Sequence, residues 1–511
     1  MKPETPHAKV TSHHIVVFLL TFFSYAFFHA TRKTFSNVKT AISDQWTPSF
    51  HNETVNTTKP DEIWNSHTLF ESPSDAEPFL GILDGAFLIA YAVGLFISGI
   101  VGDRLNMRLL LSFGMCSSGI SVFIFGTVFE WIGYYNKYVY VLVWVCNGLL
   151  QSTGWPTVVA VMGNWFGRSS RGFVLGLWSA CASVGNIIGA LLASAVLDYG
   201  YDFAFLVSST VLIAGGITIF FGLVSTPKEL GLPVPDEAIT NQEYTVTVNT
   251  DNVQERQSES EDDERGQLLK KSENETDVIT RPHALGFIQA LLLPGVILYA
   301  LSYACLKFVN YSFFFWLPFY LHGAFNWLET VADEISIWYD VGGIVGGIIA
   351  GYISDRFRKR SLIVMPMLVL AIPALFIYSN SPNNLTLNAV LMSVAGFFVG
   401  GVANLISAAI SADLGRQGPI QGNAEALATV TGIVDGTGSV GAAIGQVLVP
   451  VIQQRFGWQK VFIVFMVMTA LTGVCILPMF YRECKDAFKN YSFSWYRGIH
   501  RKQTLSIQEE N

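Results

Sequence analysis

Long apolar stretches separated by short polar breaks organise the chain. Apolar runs such as Val16 to Phe28, Val139 to Leu150, Val211 to Val224, Leu362 to Tyr378 and Val461 to Phe480 recur along it. Most sit in stretches close to the roughly 20 residues that cross a bilayer as a helix. Set against the charged breaks, they predict spans near 14–36, 82–102, 108–129, 138–162, 172–195 and 203–225, then 290–321, 334–354, 361–379, 387–412, 424–451 and 459–480. The expected fold is an all-α polytopic membrane protein with twelve transmembrane helices. Residues 226–284 turn to Glu, Asp, Ser, Asn and Thr, a composition that buries too little surface to fold alone. The expected organisation is thus a polar N-terminus (1–13), a six-helix bundle (14–225), a disordered acidic linker (226–284), a second six-helix bundle (285–480) and a tail (481–511).

Basic residues orient the spans. The short loops after spans two (Arg104, Arg108), four (Arg168, Arg171) and eight (Arg356, Arg358, Lys359, Arg360) are basic, and the alternate loops hold few such residues. The positive-inside rule puts both termini in the cytosol. The polar loop at 40–80 then faces the lumen or exterior, where Asn52-Glu53-Thr54 and Asn56-Thr57-Thr58 are expected glycosylation sites. Asn384-Leu385-Thr386 is a third tripeptide with less room, and Asn274, in the linker, is expected to stay unmodified. No small-residue cleavage site follows the first apolar run, so that span is expected to be retained. Within the linker, Glu264 to Leu269 reads either as an acidic dileucine sorting signal or as a chance pair of leucines.

The two bundles repeat one another. Gly99-Ile-Val-Gly-Asp103-Arg104 and Gly351-Tyr-Ile-Ser-Asp355-Arg356 share spacing at the same ends of spans two and eight. Gly176 precedes Ser183-Val184-Gly185 as Gly432 precedes Ser439-Val440-Gly441. Carriers built from such repeats bind substrate near the membrane midplane, between the halves.

Composition removes the soluble alternatives. Hydrophobic residues make up 51% and charged residues 14%, against about 25% charged in soluble domains. The 45 glycines suit close helix approach. The net charge of −8 is concentrated in the central loop and says little about substrate. All six cysteines lie within or beside predicted spans, so no disulfide framework is expected. There is no Gly-x-x-x-x-Gly-Lys-Ser/Thr loop, no zinc-type Cys/His cluster and no basic tract for nucleic acid. Neither catalysis nor a cofactor is expected.

The Gly-x-x-x-Asp-Arg element in both halves resembles the signature of the major facilitator superfamily. Tyr25 to Ser36, Gln151 to Phe166, Asp340 to Arg356 and Asp435-Gly-Thr-Gly-Ser-Val-Gly441 resemble, more closely, the sugar-phosphate exchangers of animals. Those are relatives of bacterial glycerol-3-phosphate and hexose-phosphate transporters. The resemblance covers nearly the whole chain except the termini and linker. It implies exchange of a phosphorylated sugar, such as glucose-6-phosphate, for inorganic phosphate in the endoplasmic reticulum membrane. The dileucine leaves an endolysosomal membrane open.

Phosphate dianions at the midplane require cations whose burial is offset by the incoming charge. Arg32 suits this, because its planar fork donates two hydrogen bonds and keeps its charge when buried. It matches the span 1 arginine that the resemblance implies as the phosphate ligand; snorkelling to headgroups is its competing role. Lys33 points roughly 100° away around the helix and is expected to be an interfacial anchor. His29 shares the face of Arg32, either against substrate or as a packed polar group. The resemblance also implies a span 7 cation six positions before Trp316, which with Pro318 is present; that position is Asn310, and Lys307 three residues earlier is expected to take the role. Asp340, aligned with a span 8 glutamate of the relatives, is expected to pair with Lys307 in the empty carrier or to be a structural contact. Leu95 and Ala182, the latter beside Cys181, replace a lysine and a histidine of the relatives and lower the site's positive charge. Asn147 and Gln151, four apart on one face, with Asn186, Asn404 and Asp435, are candidates for substrate hydroxyls or for interhelical hydrogen bonds. Asp103 with Arg104, and Asp355 with Arg356, are expected gating latches. Two rivals stand beside the exchanger: a proton-coupled symporter of another organic anion using Asp340 or Asp435, and a transporter-like receptor or partner subunit.

Overall fold

A computed structural model describes residues 11–47, 69–70, 73–102, 105–166, 171–232, 286–357, 359–415 and 426–509. The first half contains α1 (Ser12–Asn37), α2 (Pro73–Gly102), α3 (Met107–Trp131), α4 (Lys137–Gln151 and Gly154–Trp165), α5 (Arg171–Ser179 and Cys181–Val196) and α6 (Tyr201–Gly222). The second contains α7 (Val296–Phe325), α8 (Glu329–Phe357), α9 (Ser361–Ser379), α10 (Leu385–Leu414), α11 (Ala426–Phe456) and α12 (Trp458–Glu509). Among the described residues, eleven helices are long and apolar enough to cross a membrane.

The exception is α4, which a turn at Ser152–Thr153 divides, although both residues keep near-helical backbone angles. Pro156 supplies the cause: it lacks the N–H that the Ser152 carbonyl would accept four residues back. The Ser98 hydroxyl of α2 donates to that carbonyl instead, at 2.8 Å. In α10 the segment Leu405–Ile410 is a π-helical bulge, a feature common at functional sites. It begins immediately after Asn404, a residue of the cavity described below.

Within the first half α1 packs on α5 and α6, and α2 on α4; within the second α8 packs on α10, and α7 on α11 and α12. The halves meet where α2 lies along α11 and α5 along α8. The glycines of the repeated Ser-Val-Gly motif explain part of the duplication. A Cβ on Gly185 would overlap the Ala26 carbonyl of α1, and one on Gly441 the Ala304 carbonyl of α7. Large apolar side chains such as Phe113, Leu142, Phe221, Val369 and Val474 point outward, as a lipid-facing surface requires. After α1 a short helix, Lys39–Gln45, leads to Trp46, which is buried against Tyr140 and Phe79.

Candidate functional site

A cavity of about 50 Å³ lies between the halves. Tyr25, His29 and Lys33 of α1, Trp155 of α4 and Asn186 of α5 face Tyr303, Asn310 and Tyr311 of α7, Tyr339 and Asp340 of α8, Asn404 of α10 and Asp435 of α11 across it.

Arg32 lies next to Tyr25, which lines this cavity. Its side chain is buried, and Nε donates to Gln151 Oε1 at 2.5 Å, while Gln151 Nε2 donates to Thr31 Oγ1 at 3.2 Å. The guanidinium carbon is 4.4 Å from the Tyr91 ring centre and 5.9 Å from that of Tyr25. Nη1 and Nη2 find no acceptor in hydrogen-bonding geometry. Arg32 therefore does not reach headgroups, because α2 and α4 enclose it. A buried guanidinium with two unused donor nitrogens is costly unless an anion joins it.

Lys307 is the second buried cation. Its Nζ donates to Asp435 Oδ1 at 2.7 Å and to Ser439 Oγ at 2.8 Å, two residues one helical turn apart on α11. It also lies 5.7 Å from the Tyr91 ring centre, so Arg32 and Lys307 both approach one ring, with the Tyr91 hydroxyl 3.5 Å from Asp435 Oδ2. The expected pairing of Lys307 with Asp340 is corrected here. Packing of α7 on α11 gives Lys307 to Asp435, whereas α8 turns Asp340 toward the first half. There Asp340 accepts from Asn186 Nδ2 at 2.6 Å, and Asn186 Oδ1 is 2.9 Å from His29 Nδ1. The chain His29–Asn186–Asp340 thus bridges the halves.

Lys33 is not an interfacial anchor. It is buried, lines the cavity and donates to the Phe314 carbonyl at 3.0 Å. Its 100° offset from Arg32 is real, but α7 covers that face of α1, so both faces are interior. Asn147 also departs from expectation: its Oδ1 accepts from Ser118 of α3 at 2.7 Å, an interhelical bond away from the cavity. Asn310 Oδ1 accepts from the Tyr339 hydroxyl at 2.8 Å, and Asn404 Nδ2 donates to the Gly343 carbonyl at 3.3 Å; both line the cavity. Ala182, where the family resemblance implied a histidine, lines it too, whereas Leu95 is buried with its carbonyl against Gly432. Arg356 is exposed in the last turn of α8, which includes Asp355. Asp103, Arg104, Asn52 and Asn56, with most of the linker, lie outside the described residues.

Sequence reasoning missed Tyr91, Lys39 and the interior position of Lys33. Lys39 is 1% exposed and ion-paired to Asp84 of α2, itself fully buried. A signal was present: Lys33, Ser36 and Lys39 recur every three residues, which places Lys33 and Ser36 along one side of α1, with Lys39 opening the short helix that follows.

The comparisons with known proteins agree with this architecture. Residues 17–422 match the family model of the Major Facilitator Superfamily. Sugar phosphate exchanger 3 of Xenopus laevis is 58% identical over 479 residues, 94% of each chain. Its namesake in Homo sapiens is 56% identical over 478 residues, 93% of this chain and 94% of the relative. Glucose-6-phosphate exchanger SLC37A2 of Xenopus tropicalis is 37% identical over 489 residues, 93% of this chain and 95% of the relative. The chain is a two-bundle membrane protein of the major facilitator superfamily, and within it belongs to the sugar-phosphate exchanger family.

Proposed function

We propose that the chain exchanges a phosphorylated sugar, such as glucose-6-phosphate, for inorganic phosphate by alternating access, with both termini cytosolic and a glycosylated luminal loop, in the endoplasmic reticulum membrane. The observation that carries this reading is Arg32, whose two terminal nitrogens are buried and unused. Phosphate oxygens accept from such a fork in bidentate fashion. Lys307, near the same Tyr91 ring, supplies the second cation once an incoming dianion competes with Asp435. Asn310, Asn186 and Gln151 offer polar contacts beside the cations, and His29 and Asp340 adjust as the halves move. An empty site leaves Arg32 uncompensated, which favours exchange over net movement.

Counterflow of labelled phosphate in reconstituted vesicles tests the reading. Exchange that ignores a pH gradient and is lost in Arg32→Ala supports it; undiminished exchange in that variant overturns it. One observation gives a second reading some weight: Asp340 lies on the cavity wall in a hydrogen-bonded chain with His29, as a proton-coupled symporter would need. Uptake driven by a pH gradient and lost in Asp340→Asn would establish that reading instead.

A further inference from the structure

We propose that Ser36 and Lys39 of the first half, closing on the backbone carbonyls of Phe314 and Phe315 in α7, the first of them released by Pro318, form the gate at the end of the carrier opposite its basic loops. Proline at 318 has no N–H for the Phe314 carbonyl, which therefore keeps its acceptor capacity in mid-helix. Ser36 Oγ lies 2.9 Å from that carbonyl and 3.2 Å from the Phe315 carbonyl, and Lys39 Nζ donates to the latter at 3.1 Å. Lys33 Nζ joins at Phe314. Every one of these bonds runs from one half of the molecule to the other.

The latch is held from both sides. Asp84 pairs with Lys39 within the first half and aims it. On the second half the Lys39 ammonium lies 4.0 Å from the Trp316 ring centre, and Trp316 Nε1 is fixed by Gln446 at 2.8 Å. The latch forms the wall of the cavity at that end: Lys33 and Phe314, which share one of its bonds, and Leu317 line the cavity. Opening that end must therefore break it. The corresponding device in α4 behaves differently: the carbonyl released by Pro156 is taken by Ser98 of the same half and holds nothing across the interface. Exposure to water on opening rehydrates Lys39 and Asp84 together, so the broken state remains accessible and the latch is reversible.

The gate rests on the membrane orientation of the proposed function but not on what is carried, so it is measured without substrate. Full-length protein carrying Leu317→Cys is reconstituted and labelled with a membrane-impermeant maleimide applied at the non-cytosolic face. Protein without the reporter gives the baseline. Ser36→Ala removes one donor. Pro318→Ala restores the N–H that reclaims the Phe314 carbonyl. Lys39→Met with Asp84→Leu deletes the pair without stranding either charge. Loss of a charge-assisted bond is expected to raise the labelling rate about tenfold in the Lys39/Asp84 variant, with smaller rises in the other two. Unchanged rates in all three variants overturn the proposal. So does an equal rise at a Ser407→Cys reporter labelled from the opposite face, because that marks general loosening. Failure of the proposed function is read separately, as undiminished phosphate counterflow in Arg32→Ala.

Discussion

Replacing Asp435 with asparagine tests how the carrier tolerates its buried charge. Lys307 is 1% exposed, and Asp435 is its carboxylate partner at 2.7 Å. Removing one member of a buried pair costs about 3–5 kcal/mol, because the remaining charge is left uncompensated. Ser439 keeps one neutral hydrogen bond to Lys307, which places the expected loss near the lower end, about 3 kcal/mol. The same substitution removes the carboxylate that a phosphate ligand has to displace. Phosphate is therefore expected to restore part of the lost stability, and more than it adds to the parent; at a hundredfold excess over Kd a ligand contributes about 2.7 kcal/mol. The assay is thermal unfolding of detergent-purified parent and Asp435→Asn, followed by tryptophan fluorescence, with and without phosphate and against chloride at equal ionic strength. The expected pattern is a lower basal midpoint for the variant and a larger phosphate-induced rise. Equal rises in the two proteins would mean that phosphate does not compete for Lys307, and the proposed two-cation site would fall.

Three further outcomes follow from named contacts. Arg32→Lys keeps the charge but loses the fork and the bond to Gln151; one lost charge-assisted hydrogen bond, about 1.5–3 kcal/mol, predicts phosphate half-saturation in counterflow at least tenfold higher, and an unchanged value would remove the bidentate role. Gly185→Ala drives a Cβ into the Ala26 carbonyl, and a backbone cannot yield as a side chain does, so thermal stability should fall by about 1–3 kcal/mol. At Gly343 the nearest atom to an added Cβ is 3.6 Å away, so Gly343→Ala should match the parent in the same melt; the reverse order would refute the packing account. Trp46→Ala empties a buried site between Tyr140 and Phe79, for an expected cost of about 3–5 kcal/mol in the same measurement.

Spans were legible in the sequence because the bilayer imposes a length and a composition that apolar runs must meet. The duplication was legible for a related reason: Gly185 and Gly441 perform the same close approach, and only glycine fits it. Arg32 stood out because an arginine embedded in an apolar helix has few uses. Partners of the buried charges were hidden. Lys307 and Asp435 come together through the packing of α7 on α11, and no local spacing encodes which of two acidic residues, Asp340 or Asp435, that lysine will meet. Lys33 was misjudged because helical geometry gives the angle between two side chains but not what fills the space each one enters. Division of α4 at Ser152 could have been read from Pro156, since the missing N–H is a property of the sequence.

The small size of the central cavity bears on inhibition. At about 50 Å³ it is far below the roughly 300–1,000 Å³ of pockets that enclose drug-sized molecules, so cargo is admitted only while the bundles stand apart. A compound with an anionic head for Arg32 and a body too bulky to be enclosed would act as a wedge, holding the bundles open and stopping turnover. For such a molecule girth decides the outcome, and tighter binding than the natural cargo is not required.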